Sequence, residues 1–306
     1  MQTTVARTVH FAGTGLHTGR PVRLDVCPAP IDHGIVFRRT DIQGEAALLP
    51  AQFDLVDQSP LCTKLVNDAG VSVSTIEHLM AALAGLGIRN ARIDVNGPEV
   101  PILDGSAAPF VRKLVRAGIR QQGGKVHLLK ILKPVEVRNG DAVARLDPSE
   151  GFHMDFEIDF DLPSIGRQHR ELNLRNGAFV ANLCDSRTFC RQSDVDAMRA
   201  KGLALGGTHE NAVVFDGDAV VSPGGLRHED EPVRHKMLDA LGDLGLAGMP
   251  ILGRYTGIRA GHATTNRLLR ELFARPDAYE VVECEPSMLH SLPGAGVRES
   301  DLALCA

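Results

Sequence analysis

The chain has 306 residues, 43% hydrophobic and 23% charged, a globular composition long enough for a large core and two domains. With 38 acidic and 33 basic residues the net charge is −5, so no basic field points to nucleic acid as a partner. No apolar run reaches the roughly 20 residues of a membrane span.

No such run follows Met1-Gln2-Thr3-Thr4-Val5-Ala6-Arg7 either, so a signal peptide is not expected. The cysteines (Cys27, Cys62, Cys184, Cys190, Cys284 and Cys305) form no C-x-x-C pair. That argues against a cysteine zinc site or a disulfide framework, and for a reducing cytoplasm.

Residues 9–26 read as two strands around Gly13-Thr14-Gly15-Leu16-His17-Thr18-Gly19, with Val22, Leu24 and Val26 alternating with polar neighbours. The glycine-rich segment is either a plain turn or a backbone cradle for phosphate, with His17 at its tip. Strand-like runs follow at 34–38, 61–66 and 71–73. A helix then opens at Ser74-Thr75-Ile76-Glu77-His78 and runs to Gly85. Ser74 and Glu77 have the spacing of a capping box, a purely structural reading of Glu77. Ala81, Ala82 and Gly85 give this helix a small face suited to close packing. An adjacent Glu-His pair is part of the H-x-x-E-H zinc motif, but Ser74 holds the first His position. A metal at His78 therefore needs its other ligands from elsewhere in the chain. Residues 91–96 read as a strand, and the segment from Pro98 to Gly105 as a turn. Ser106 caps a helix carrying Ala107, Phe110, Val111, Leu114 and Val115. Gln121-Gln122-Gly123-Gly124 is the expected linker, dividing domains 1–122 and 123–306.

In the second half, 135–138 and 142–146 flank Asn139-Gly140, a strong hairpin signal. Phe152, Met154, Phe156, Ile158 and Phe160 alternate with His153, Asp155, Glu157 and Asp159 in the clearest strand of the chain. Residues 193–200 read as a short helix, 202–207 as loose and apolar, and 211–221 as a hairpin turning at Asp216-Gly217. Glu231-Pro232 starts a helix with Pro at a tolerated first-turn position. In it, His235 and Asp239 stand four residues apart and project the same way, with Asp243 one turn further on. Met237, Leu241 and Leu244 make the apolar stripe. The polar face is either solvated or a metal site supplying the ligands that His78 lacks. Residues 251–260 read as a strand, and Gly261-His262 sits where it gives way to a helix over 264–273. Strands and helices mix in each half without regular alternation, which argues for an α+β fold.

Five separated motifs, in order and with compatible spacing, resemble the UDP-3-O-acyl-N-acetylglucosamine deacetylase family, the zinc enzymes of lipid A synthesis in the Gram-negative cytoplasm. They are Ser74-Thr75-Ile76-Glu77-His78, Asp104-Gly105-Ser106-Ala107, Ser186-Arg187-Thr188-Phe189, the run from Arg234 to Leu244, and Gly261-His262. The resemblance runs from about residue 9 to beyond Asn266. It implies two similar domains, each a β-sheet with a helical layer, the helical layers packed face to face with the active site between them. It implies His78, His235 and Asp239 as ligands of one Zn²⁺, a site that Fe²⁺ also fits. Glu77 matches the general base, His262 the general acid and Asp243 its orienting carboxylate. Lys236 and Thr188 match groups near the oxyanion. Asp159, Phe160 and Arg259 fall where the family holds the UDP-sugar, and Phe189, His17 and Cys62 are expected beside them as substrate contacts. Residues 191–214 correspond to an inserted unit forming a greasy passage for the acyl chain. The expected partner is a small-molecule substrate and the expected state a monomer. The chain departs from the family pattern at Thr264 and Thr265, where Leu and Asn are expected, and at Pro60, where Met is frequent. Another zinc amidohydrolase on the same scaffold and a non-enzymatic nucleotide-sugar-binding protein are the alternative readings. They differ from the first in the substrate pocket and in the need for an acid and a base.

Overall fold

The computed structural model describes residues 1–58 and 61–304, so Pro60 and Cys305 lie outside the described residues. The fold is mixed α+β. Its described α-helices are α1 (Glu77–Gly85), α2 (Ala108–Ala117), α3 (Ala178–Asn182), α4 (Gln192–Ala200), α5 (Glu231–Leu244) and α6 (His262–Phe273).

The first half builds a five-stranded sheet in the order Val9–Thr14, Pro21–Pro28, Ala91–Val95, Ile35–Arg39, Leu48–Pro50. Only the Ala91–Val95/Ile35–Arg39 pair is parallel. The alternation read at Val22, Leu24 and Val26 holds, and all three are buried. The second half builds a seven-stranded sheet around Ile251–Ile258, which pairs with Ala142–Asp147, Phe152–Asp159 and His127–Ile131. Met154, Phe156 and Ile158 point into the core as the alternation requires. Arg167–Asn173 was not legible as a strand because its sequence has no apolar alternation. It is held to Phe152–Asp159 through an antiparallel ladder with two cross-strand side-chain pairs, the ion pair of Arg167 with Glu157 and the hydrogen bond between His169 and Asp155.

The helices fill the space between the sheets. α2 packs on Val9–Thr14, α6 on Val135–Asn139 and Ala142–Asp147, and α5 on Phe152–Asp159 and Arg167–Asn173, while α1 lies along α5. One hydrophobic cluster runs through both halves, from Phe11 and Phe110 to Phe156 and Leu268. The small face read on α1 has its counterpart on α5. A Cβ on Gly242 would stand 2.1 Å from the Glu77 carbonyl oxygen, so only glycine lets the helices approach this closely. Gly85 meets the Phe179 ring of α3 instead.

Three local expectations are corrected. The capping box does not form. The chain passes through the left-handed region at Thr75 (φ 57°), which turns Ser74 away from the helix end. The Ser74 hydroxyl donates to the Pro98 carbonyl at 3.1 Å, and α1 begins at Glu77 itself. The expected linker is partly a strand: Ile119–Gln122 pairs antiparallel with Gln2–Val5, Gln122 opposite Gln2. Ser106 acts one residue earlier than a cap of α2, accepting from the Ala108 N–H at 3.2 Å, with Ala107 at the N-cap position.

Candidate metal centre and active site

α5 has no solvated polar face. Its apolar stripe is buried, and so are His235, Asp239 and Asp243. A buried carboxylate or imidazole needs a partner, so burial of this face separates the two readings the sequence left open.

The partner comes from α1. His78, His235 and Asp239 bring one donor atom each to within 4.8 Å of one another. His235 Nε2 is 3.3 Å and His78 Nε2 3.6 Å from Asp239 Oδ1. The two imidazoles meet edge to face, with centroids 4.9 Å apart. His235 Nδ1 donates to the Ser186 carbonyl at 2.9 Å, which fixes the tautomer and leaves the Nε2 lone pair aimed at Asp239. Burial pulls the His235 imidazole down to about 4, so it stays neutral as a metal ligand must. Burial opposes ionisation of Asp239, yet the Lys236 ammonium beside it holds its carboxyl well below the usual range. Lys236 Nζ occupies Oδ2 at 2.8 Å. Oδ1 is buried and has no hydrogen-bond partner. An orphaned carboxylate oxygen facing two imidazole nitrogens is what a cation held by two N donors and one O donor requires.

Glu77 and His262 flank this cluster. The Thr63 N–H donates to Glu77 Oε2 at 3.0 Å, and burial pushes the Glu77 carboxyl up. His262, the first residue of α6, donates from Nδ1 to Asp243 Oδ2 at 2.8 Å and turns Nε2 toward Asp239 Oδ2, 3.9 Å away. Burial lowers its pKa, but the Asp243 carboxylate, with Glu77 and Asp239 beside it, raises it to about 9.

All of this opens into a cavity of about 790 Å³. Glu77, His78, His235, Lys236, Asp239, His262, Thr188, Phe189, Phe160 and His17 line it, while Asp243 stands behind His262. Both ring nitrogens of His17 are buried there without a hydrogen-bond partner. The 191–214 unit forms one wall through Val195, Met198, Leu203, Ala204, Ala212 and Val214, but Arg191, Arg199 and Lys201 share it, so the passage is less uniformly apolar than its sequence suggested. Cys62 is buried outside this lining, where its neighbour Leu61 stands instead; burial pushes the Cys62 thiol up to about 12. Asp159 and Arg259 are also outside the lining and ion-paired with each other. Thr265, one of the departures from the family pattern, gives its hydroxyl a buried partner in Tyr255 at 3.0 Å.

A sequence model of the LpxC family, UDP-3-O-acyl N-acetylglycosamine deacetylase, matches residues 2–274. The chain belongs to this family. Relatives named UDP-3-O-acyl-N-acetylglucosamine deacetylase include a protein of Shewanella frigidimarina, 50% identical over 300 residues, with 96% of this chain and 98% of the relative covered. One from Shewanella baltica is 48% identical over 302 residues, covering 97% of this chain and 98% of the relative. Two motif residues of this LpxC chain, Gly105 and Arg187, act by support rather than by lining the cavity. Gly105 sits at φ 83° where a Cβ would stand 2.0 Å from the Asn211 carbonyl oxygen, so this turn seats the inserted unit. Arg187 is buried against Glu231, with Nε to Oε1 at 2.9 Å, and fixes the start of α5 beside Ser186.

Three supporting residues were given no role from sequence: Thr63, Ser186 (quoted only as part of a motif) and Glu99. Glu99 settles the glycine-rich segment as a turn. Its carboxylate accepts from the N–H groups of His17 (2.7 Å) and Thr18 (2.9 Å), which are therefore not free to hold phosphate. Only its place in the Pro98–Gly105 turn hinted at a role. Ser186 acts through its carbonyl, which no side-chain pattern reveals.

Proposed function

We infer that this LpxC chain hydrolyses the N-acetyl group of UDP-3-O-acyl-N-acetylglucosamine, releasing acetate in lipid A biosynthesis. The observation that carries the reading is the buried His78–His235–Asp239 cluster at the floor of the cavity, with a carboxylate on one side and a carboxylate-backed imidazole on the other. We assign these three residues as ligands of one Zn²⁺, with Fe²⁺ an alternative for the same donors. When bound, such an ion polarises the amide carbonyl and makes water a stronger acid.

Glu77 is the base that takes the proton of the attacking water. His262 is held protonated by Asp243 and delivers its Nε2 proton to the leaving amine, which is a poor leaving group until protonated. Lys236 and Thr188 place a positive charge and a hydroxyl beside the developing oxyanion. Phe160, Phe189 and His17 contact the substrate within the cavity, and the Asp159–Arg259 pair, at the ends of the neighbouring strands Phe152–Asp159 and Ile251–Ile258, meets the UDP-sugar. The 191–214 wall holds the acyl chain. Support for two domains, 1–122 and 123–306, comes from the five-stranded and seven-stranded sheets, each built from one half of the chain. All proposed groups come from one chain, so a monomer suffices. Among the described residues Cys27, Cys62, Cys190 and Cys284 are free thiols, in keeping with a reducing cytoplasm. Among the described residues no helix is long and apolar enough to cross a membrane.

Acetate release from UDP-3-O-acyl-N-acetylglucosamine, measured with and without a chelator, tests the reading. Chelator-sensitive release is expected. Release of another acyl group from another amide, with none from this one, overturns the substrate.

A further inference from the structure

We propose that Thr63 is a positioning residue that fixes the base side of the site relative to the acid side. The proposal rests on reading Glu77 as base and the His262–Asp243 pair as acid. Thr63 is 2% exposed and immediately precedes the strand Lys64–Val66. It belongs to none of α1, α5 and α6, yet it meets a functional side chain from each. Its N–H donates to Glu77 Oε2 at 3.0 Å. Its hydroxyl donates to Asp243 Oδ1 and lies 3.2 Å from His262 Nδ1.

Counting protons gives this arrangement a single direction. An ionised carboxylate only accepts. Asp243 Oδ2 takes the Nδ1–H of His262. Nδ1 therefore carries a proton and cannot accept the hydroxyl proton of Thr63, which is committed to Asp243 Oδ1. Both oxygens of Asp243 are then held, and the carboxylate cannot rotate without breaking a hydrogen bond. The imidazole plane follows from it, and Nε2, the atom that delivers the proton, stays on the cavity side. The Thr63 N–H meanwhile holds one oxygen of Glu77. The covalent geometry of one residue thus sets the separation between base and acid, across two helices whose own contact is a glycine on a carbonyl.

Thr63→Val removes the hydroxyl and keeps the shape and the N–H; Thr63→Ser keeps the hydroxyl. Thr63→Val is expected to lower kcat roughly 10- to 100-fold, the range for a hydrogen bond to a charged group. KM, bound metal and Tm should stay near wild type, and Thr63→Ser should recover most of the loss. Added to Asp243→Asn, Thr63→Val should cost little more, since both act through one carboxylate. A second measurement does not depend on turnover. The downfield proton resonance of the His262 Nδ1–H, assigned by its absence in His262→Ala, should persist in Thr63→Ser and shift or vanish in Thr63→Val. Unchanged kcat and resonance in Thr63→Val, or full additivity with Asp243→Asn, overturns the role. If wild type releases no acetate but the resonance still responds to Thr63 as expected, the functional reading fails and the positioning stands.

Discussion

The α1–α5 seam and the inserted unit face the same cavity and are built in opposite ways. In the seam nearly every side chain is buried, the helices touch through Gly242, and the polar groups of His235, Lys236, Asp243 and Glu77 each have a named partner. In the insert, α4 buries only Val195, and the strands beside it, Phe189–Arg191, Val213–Asp216 and Ala219–Val220, are two to four residues long. The difference separates two tasks. Groups that must stand within a few tenths of an ångström of a reacting atom are carried on buried, mutually braced elements. A wall of the kind proposed here, gauging only chain length, needs bulk in the right place and tolerates looseness.

The comparison breaks most severely at the ligands. His78→Ala or Asp239→Ala should remove bound metal, read by elemental analysis, and reduce turnover by more than the ~10²–10⁴-fold typical of a lost acid or base. Full metal occupancy in both variants would sink the ligand assignment.

The next largest effect separates base from ligand. Glu77→Gln keeps an acceptor for the Thr63 N–H, so metal content and Tm should hold while kcat falls about 10²–10⁴-fold. A metal-free or unfolded variant would make Glu77 a structural residue of the seam.

The acid gives a graded effect with a sign. Asp243 raises His262 to about 9, so the imidazolium persists below that pH and activity is lost as pH rises through it. Asp243→Asn removes the charge that raises the pKa, so the basic limb of kcat/KM should move to lower pH and the maximum should fall. A bound cation opposes the raised value, so the wild-type limb should lie below pH 9 in the metal-loaded enzyme. In the metal-free protein, the stability linked to His262 is fully present below its unfolded pKa of about 6.5 and lost as pH rises through the folded value. Tm against pH for wild type and Asp243→Asn should therefore converge on the alkaline side. A basic limb unmoved by Asp243→Asn, with near-normal activity in His262→Ala, rules the pair out.

The smallest effect belongs to the insert. Ala197, exposed on α4 and part of the cavity wall, can take a larger side chain without disturbing the core. Ala197→Phe should raise KM for long acyl chains by about 10-fold, the low end of the effect of one misplaced methylene, and leave short-chain substrates nearly unaffected. An equal loss for every chain length would remove the acyl role from this wall.

The sequence by itself determined the elements whose pattern is local: the alternation of Phe152–Asp159, the helical spacing of α2 and α5, the Asn139-Gly140 turn, and the i, i+4 placement of His235 and Asp239 that makes one helix supply two donors. The motifs, being short runs of chemically distinctive residues, carried the family as well. Tertiary structure alone decided which polar residues are buried and what they face. Glu77 and Ser74 satisfy the capping spacing, but a backbone reversal at Thr75 and a competing donor at Thr63 send both side chains elsewhere. The glycine-rich segment became a turn because Glu99, some 80 residues away, fills its N–H groups. His78 met His235 and Asp239, Asp243 its imidazole and Thr63 its place between Glu77 and Asp243 only when distant segments packed together. Hydrogen bonds and charge pairs across such distances leave no periodicity in the chain, because they depend on which surfaces meet and not on the spacing along any one of them.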